Sequence, residues 1–317
     1  MRKQLFMGID TSCYMTSVAC LIDDKVIQYR KPVEVKTGNC GLRQSEALFQ
    51  HIKNLPVLFN SFRKDFNVEN YEISCVSVST RPRSVDGSYM PVFIAGEGQA
   101  RILSDVLSAK LFETSHQDGH IMSVIYTEKE FSLLNEPFLS VHLSGGTSEI
   151  LLCEYKDKKF CTQIVGGTKD LPAGQFIDRI GVLMGYQFPS GKFLDANACS
   201  YSGKLAKSPL SVKDGYFNFS GEETKIRRLY QNGEIVVEDA SFMTMNFISE
   251  TLKKAVLDLK DKHKINKVIM AGGVSSSNFL RNNLKDIPGI IFSAPEYSGD
   301  NAVGVAALGK LFTCGLG

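Results

Sequence analysis

Leu5-Phe6-Met7-Gly8-Ile9-Asp10-Thr11-Ser12 and Phe138-Leu139-Ser140-Val141-His142-Leu143-Ser144-Gly145-Gly146-Thr147-Ser148 are the two stretches that decide the fold. Each is a short apolar run that ends in a turn of small polar residues. A second strand follows each turn, Ser17–Ile22 in the first case and Glu149–Tyr155 in the second. Charged turns at Asp23-Asp24 and Asp157-Lys158-Lys159 then reverse the chain again, the first into a third strand at Lys25–Tyr29. One plan written twice predicts two similar α/β lobes rather than one continuous sheet.

The rest of the chain fits around these meanders. Leu48, Ile52, Leu55 and Phe59 recur at helical spacing across Ser45–Phe62, where Pro56 removes one intrahelical hydrogen bond. Ile73–Ser79 reads as a buried strand. Val92–Leu111 reads as a helix with Ile94, Ile102, Leu103, Val106 and Leu107 on its apolar side. Gln175–Leu183, Phe242–Leu259 and Ser277–Leu284 read as helices, Val268–Met270 and Ile290–Ser293 as strands, and Ala302–Phe312 as a C-terminal helix. Tyr201–Phe219 reads as a surface excursion. A boundary at Glu128–Pro137 gives lobes at 1–127 and 138–300, with the C-terminal helix (301–317) expected to pack back on the first lobe.

Composition narrows the function classes. At 317 residues, 43% hydrophobic and 22% charged, the chain is long and apolar enough for a sizeable core and is not disordered as a whole. Lysine plus arginine number 36 against 34 acids, a net charge of +2, which excludes nucleic-acid binding by global charge alone and leaves only a local basic patch. The eight cysteines (13, 20, 40, 75, 153, 161, 199 and 314) form no C-x-x-C pair, so reduced thiols are expected. The basic start Met1-Arg2-Lys3 is followed by an apolar stretch broken at Gly8 and Asp10, too early for a secretion signal, and no run reaches the roughly 18 apolar residues of a membrane span. A cytoplasmic protein is expected.

Three small-residue turns follow strands, at Asp10–Ser12, Ser144–Ser148 and Ala271–Ser275. Glycine lets backbone N–H groups approach an anion and serine or threonine adds hydroxyl donors, so such turns suit a nucleotide phosphate, although each alone is also an ordinary tight turn. None matches G-x-x-x-x-G-K-[ST]. His116 and His120 are four apart, which on a helix places both imidazoles on one face; Thr114-Ser115 stands where the cap of that helix belongs. A carboxylate would complete a facial site for iron, zinc or manganese, and Asp300 in Ser298-Gly299-Asp300-Asn301 is the candidate. Surface histidines and a helix N-cap are the competing readings. Gln117 stands where H-E-x-x-H requires its glutamate, which argues against a metalloprotease.

Taken together the motifs resemble the TsaD family, also called Gcp and labelled a glycoprotease. Gly8-Ile9-Asp10-Thr11-Ser12-Cys13 is similar to its opening G-I-[DE]-T-S-C, and His116-Gln117-Asp118-Gly119-His120 to H-x-E-G-H. Ser144-Gly145-Gly146-Thr147 resembles S-G-G-H-T, and Ala173–Asp178 resembles A-G-E-A-F-D. Pro189-Ser190-Gly191 is similar to P-G-G, and Phe217–Gly221 to F-S-F-S-G. Ala271–Ser275 and Asp300-Asn301 match A-G-G-V-S and D-N. The resemblance implies an actin-like two-lobed α/β fold with duplicated ribonuclease H-like lobes, shared with sugar kinases and heat-shock ATPases. It implies metal ligands at His116, His120 and Asp300, holding one divalent ion: iron or zinc, with manganese or magnesium as further alternatives. Nucleotide- or substrate-binding positions are implied at Ser144, Gly145, Gly146, Asp178, Gly191 and Asp195, with Gly272, Gly273 and Ser277 at the last turn. The implied reaction moves a threonylcarbamoyl group from an adenylate to the N6 amine of an adenine in tRNA, and the implied partners are tRNA and a smaller homologous TsaB-like protein.

Several ligand-facing positions depart from the family pattern. Tyr14 and Met15 replace an acidic pair, Arg81-Pro82-Arg83 replaces Gly-Pro-Gly, and the histidine of S-G-G-H-T is absent, although His142 lies just before that turn. Glu223 stands in place of a lysine and Ser277 in place of an asparagine. Three readings follow: the tRNA-modifying transferase, a divergent paralogue with another acceptor or a regulatory role, and, least supported, a small-molecule kinase. Arg81, Arg83, Arg227 and Arg228 are the basic residues proposed for RNA contact, against the plainer reading of solvated charges.

Overall fold

A computed structural model describes residues 2–12, 14–35, 42–66, 70–203 and 208–315. Cys13, Cys40 and part of the 201–219 stretch lie outside them. The chain divides into two compact units: Met1–Phe131 with Lys156–Cys161 and Asp300–Gly317, and Ser132–Tyr155 with Thr162–Gly299.

In the first unit, β1 (Lys3–Asp10), β2 (Met15–Ile22) and β3 (Lys25–Pro32) form an antiparallel meander. On the other side of β1, β4 (Tyr71–Arg81) and β5 (Lys110–Ser115) add in parallel, giving the order β3-β2-β1-β4-β5. Strand alternation sorts β1 onto two faces. Leu5, Met7 and Ile9 join the core that includes Leu55, Leu58 and Phe62 of α1 (Gln44–Asp65) and Ala95 and Ala100 of α2 (Phe93–Leu107). On the opposite face Gly8 admits the start of α10 (Val303–Cys314), because a Cβ there would strike the Ala302 carbonyl and the Ala306 amide. The same intimacy joins α10 to α3 (His116–Thr127), since a side chain at Gly304 would enter the Gly119 carbonyl. These contacts hold the chain at Asp300 beside α3.

The structure corrects the reading of Val92–Leu111. The helix stops at Leu107 with Ser108 in the left-handed region, and Leu111 belongs to β5. Its buried face is Phe93, Ala95, Gly96, Ala100 and Ser104, whereas Ile94, Ile102, Val106 and Leu107 are exposed, Val106 by 75%. After Phe93 the core face is made of small residues, because the helix packs closely on the turn after β1, where Thr11 Oγ1 accepts from Gly96 N at 3.2 Å.

The second unit repeats the plan. β6 (Phe138–Leu143), β7 (Ser148–Lys156) and β8 (Lys159–Thr168) lie side by side, and β11 (Val268–Ala271) and β12 (Ile290–Phe292) continue in parallel beyond β6. Two short strands, β9 (Val212–Lys213) and β10 (Tyr216–Phe217), extend the far edge, giving β12-β11-β6-β7-β8-β10-β9. The end of the 201–219 stretch is therefore part of the sheet rather than a surface excursion, and Phe217 and Phe219 are buried in the core. That core is built around α4 (Ala173–Leu183) and α7 (Val237–His263). Two helices with few large apolar residues, α5 (Gly191–Ser200) and α6 (Ser220–Gln231), escaped the periodicity reading; α8 (Asn278–Leu284) follows β11, and the single-turn α9 (Pro295–Ser298) follows β12. The six described cysteines are free thiols, and among the described residues no helix is long and apolar enough to cross a membrane.

Candidate metal centre and glycine-rich turns

β5 runs directly into α3, whose N-cap is Ser115; its hydroxyl accepts from Asp118 N at 3.0 Å. The first residue of the helix is His116, and His120 follows one turn later. Their Nε2 atoms are 3.0 Å apart and the rings meet edge to face at 4.4 Å. Asp300 Oδ1 lies 3.6 Å from His116 Nε2 and 3.3 Å from His120 Nε2. One ligand atom from each of the three falls within 4.8 Å of the others. Asp300 is not the cap of α10: the neighbouring Asn301 accepts from Val303 N at 2.9 Å and from Ser123 Oγ at 3.2 Å, which leaves the Asp300 carboxylate to the histidines.

A fourth residue completes the arrangement. Asp10, at the end of β1, is fully buried and places Oδ1 3.0 Å from His116 Nδ1. Its carboxylate also accepts from Ser12 Oγ at 2.6 Å, from Ser12 N at 3.3 Å, and from Ser79 Oγ. When His116 Nδ1–H donates to Asp10, Nε2 is left as a lone pair aimed at His120 and Asp300, the tautomer that a metal requires. Burial would raise the Asp10 carboxyl, but His116 and the two hydroxyls hold it below the usual carboxylate range. Burial would likewise raise Asp300, but with His116 protonated at both nitrogens, hydrogen bonds from both histidines hold it well below that range; a bound cation would take the place of the Nε2 proton. Burial would lower His116, yet Asp10 and Asp300 keep it well above its ordinary value. Two imidazoles, one of them oriented by a buried carboxylate, and a second carboxylate suit a divalent first-row ion. The sequence alone suggests a phosphate-binding turn at Asp10–Ser12. The donors of that turn are in fact engaged internally, with Thr11 Oγ1 donating to Val92 O at 3.0 Å and accepting from Gly96 N.

The glycine-rich turns of the second unit are built differently. The parallel neighbours β6 and β11 end side by side, so the turns at Ser144–Gly146 and Gly272-Gly273 are adjacent. Gly272 sits at φ +87° against the backbone of Leu143, and a Cβ at Gly174, in the first turn of α4, would press on the backbone of Ser144 and Gly145. Ser144 Oγ accepts from Gly146 N at 3.3 Å and Thr147 N at 3.1 Å, while Gly145, Gly146 and Gly273 face open space. Nearby residues are more occupied. Asp178 accepts from Ser190 N at 2.7 Å, just before Gly191, and burial raises its carboxyl. Ser277 caps α8, accepting from Leu280 N at 3.1 Å, and Asp195 accepts from Ser277 Oγ at 2.5 Å, Phe279 N at 3.0 Å and Asn278 N at 3.1 Å, so Asp195 and Ser277 are turned toward each other.

Of the remaining histidines, His51 is buried with Nδ1 2.8 Å from Thr16 Oγ1, and His142 is buried on β6. Among the arginines considered for RNA contact, Arg227 is paired with Glu223 one helical turn away, and Arg81 donates to Thr80 Oγ1 at 3.2 Å.

The architecture is that of the actin-like ATPase and sugar-kinase class. The HypF of T. kodakarensis superposes with a TM-score of 0.62 at 15% identity, over 96% of this chain and 47% of HypF. A ROK family glucokinase from Streptomyces griseus does so at 0.51 and 9% identity, over 96% and 99% of the two chains. The TsaD profile, tRNA N6-adenosine threonylcarbamoyltransferase, matches residues 24–307, and the chain belongs to this family. Relatives of that name include those of Mycoplasmopsis synoviae, 29% identical over 95% of this chain and 96% of its own, and Sulfurihydrogenibium sp., 30% identical over 96% and 89%.

Proposed function

We propose that this chain transfers a threonylcarbamoyl group from threonylcarbamoyl-adenylate to the N6 amine of an adenine in tRNA, using a divalent ion held by His116, His120 and Asp300. The observation that carries the reading is the convergence of those three side chains with Asp10 behind His116. Family membership and the shared name of the relatives support the reaction class. They favour it over a kinase or a paralogue of other function.

The chemistry asks for what these residues offer. An adenine amine is a weak nucleophile, because its lone pair is delocalised into the ring, so the carbonyl it attacks must be polarised. A bound ion supplies that Lewis acidity. Asp10 keeps the His116 tautomer fixed, Asp300 contributes charge, and the bare backbone at Gly145 and Gly273, which faces open space, leaves room for the adenylate phosphate. With a net charge of only +2, RNA binding relies on local cations such as Arg81 and Arg83. A smaller homologous protein is the proposed partner. The exposed apolar residues Phe49 and Ile52 on α1, and Ile94, Ile102 and Val106 on the neighbouring α2, support such an interface. A tRNA substrate makes the cytoplasm the working compartment.

The test is incorporation of labelled threonine into tRNA from preformed threonylcarbamoyl-adenylate, with and without chelation. Label should enter the tRNA, vanish on chelation and return with added iron or zinc. No incorporation with any first-row divalent ion, in the presence of the partner, would overturn the proposal.

A further inference from the structure

Arg281, on α8, joins three segments that are apart in the sequence. Its Nε donates to the Ser275 carbonyl at 3.0 Å, and its Nη2 donates to the Ser293 carbonyl at 2.5 Å and to Ser298 Oγ at 3.2 Å. The guanidinium lies over the Phe292 ring, 5.2 Å from its centroid. Ser275, Ser293 and Ser298 are all buried, so these acceptors meet protein donors rather than water. The planar fork of an arginine presents donors in several fixed directions at once, whereas a lysine offers one point of attachment.

The first of the three segments closes the glycine-rich turn after β11. Ser275 N and Ser275 Oγ both donate to the Gly272 carbonyl, at 3.0 and 2.7 Å, so a grip on Ser275 is a grip on the turn at Gly272-Gly273. The other two lead to Asp300. Ser293 follows β12, and Ser298 ends α9, two positions before Asp300. α9 is a single turn whose N-cap, Ala294, has no side-chain acceptor, and so short a helix has no stability of its own. It is held by Arg281 and by the Ser298 hydroxyl, which is turned onto the Ser293 and Ala294 carbonyls at 3.2 and 3.1 Å. On the C-terminal side of Asp300 the chain is fixed separately, by the Asn301 side chain accepting from Val303 N at the start of α10. Arg281 therefore braces the side of Asp300 that α10 does not.

We propose that Arg281 is a positioning residue that couples the two sites: holding the Ser275 turn and α9 with one guanidinium, it makes an adenylate at the turn and a divalent ion at His116, His120 and Asp300 bind more tightly together than apart. This rests on the metal and adenylate assignments proposed above. α9 and the turn are ordered once, by whichever ligand binds first, and the second binds without that entropic cost. Linkage requires the effect to be equal in both directions.

The test uses the full-length protein with zinc and AMP as probes. Zinc affinity is measured by competition with a chromophoric chelator, without and with saturating AMP, and AMP affinity by calorimetry on the zinc-free and zinc-loaded protein. AMP should tighten zinc about tenfold, and zinc should tighten AMP by the same factor. Arg281→Lys keeps the charge beside Phe292 but cannot span the three acceptors. Both ligands should still bind it, zinc alone within about fivefold of wild type, and each should tighten the other by less than about twofold. Should Arg281→Lys fail to fold, Ser298→Ala carries the same test: it removes only the contact to α9, and should cut the mutual effect to about threefold with AMP affinity of the zinc-free protein unchanged. A mutual effect of full size in Arg281→Lys, or in Ser298→Ala where that variant stands in, overturns the proposal. With both affinities intact it would trace to direct contact of AMP with the ion, and with both lowered to a purely structural role for Arg281. Zinc and AMP that bind wild type independently overturn the proposal and leave both sites standing. A wild-type protein that binds no zinc removes the metal reading itself, and this inference with it.

Discussion

The turn after β1 and the turn after β6 hold equivalent places in sheets of the same plan, yet they are built from different materials. At Asp10–Ser12 the working groups are side chains: a buried carboxylate is fixed by Ser12 and Ser79 and turned onto His116. At Ser144–Gly146 the turn is made of backbone, with Ser144 Oγ accepting from the Gly146 and Thr147 amides and the glycines facing open space. The same scaffold position occurs twice, and residue choice made one copy turn a buried carboxylate onto His116 and the other leave glycines facing open space, which is why the proposed roles differ, a metal-ligand orienter in one and an anion site in the other. A side-chain device fails when an atom is removed, and a backbone device fails when an atom is added.

The side-chain half of the contrast carries the largest effects. His120→Ala removes one of the three proposed ligand atoms, so metal content should fall below one tenth of an equivalent and threonine incorporation should drop by more than about 100-fold. Elemental analysis and the labelled-threonine assay check both. Asp10→Asn keeps the shape but loses the orienting carboxylate, and the expected loss is about 10- to 100-fold in metal affinity with the three ligands still present. Metal affinity unchanged in Asp10→Asn would show that His116 is held by its packing alone, and the contrast between the two turns would weaken.

The backbone half should fail in the opposite sense. Gly272→Ala adds a Cβ at φ +87° against the Leu143 backbone, and the strain should lower stability by about 1–3 kcal/mol in urea denaturation. Adenine-nucleotide binding should be lost with it, while metal content, which depends on residues of the first unit, stays at the wild-type value. A variant that loses both would mean that the two units do not fold as separately as their cores suggest.

How much of this was legible beforehand depends on the range of each interaction. The meanders were readable because strand apolarity and turn chemistry are local, as at Leu5–Ser12 and Phe138–Ser148. The histidine pair was readable because helical spacing is local too. Asp10 was not, because the residue it serves lies 106 positions away and Asp-Thr-Ser is also ordinary turn chemistry. The α2 face was misread because large apolar residues were counted as core, although the tight approach at Gly96 demanded small ones. α5 and α6 were missed because helices such as Gly191–Ser200 present too few large apolar residues to register as periodic.

The smallest expected effect concerns a turn that uses both materials. Asp170, after β8, accepts from the backbone amides of Leu171 at 2.6 Å, Phe219 at 2.9 Å and Ser220 at 3.1 Å, and from the Ser220 hydroxyl, which fixes the start of α6. Burial opposes ionisation, but these donors lower its carboxyl to about 2 from an ordinary 3.8. A depressed carboxyl contributes stability that is present above its unfolded value and fades as the pH falls through the folded one. Asp170→Asn should therefore cost less than about 1 kcal/mol at neutral pH, the residue being exposed to screening solvent. The difference from wild type in urea midpoint should hold from pH 7 down to about pH 4 and shrink toward pH 2. A difference that persists unchanged at pH 2 would trace the loss to hydrogen-bond geometry rather than charge, and would place this turn with the backbone-built turn after β6 rather than with Asp10.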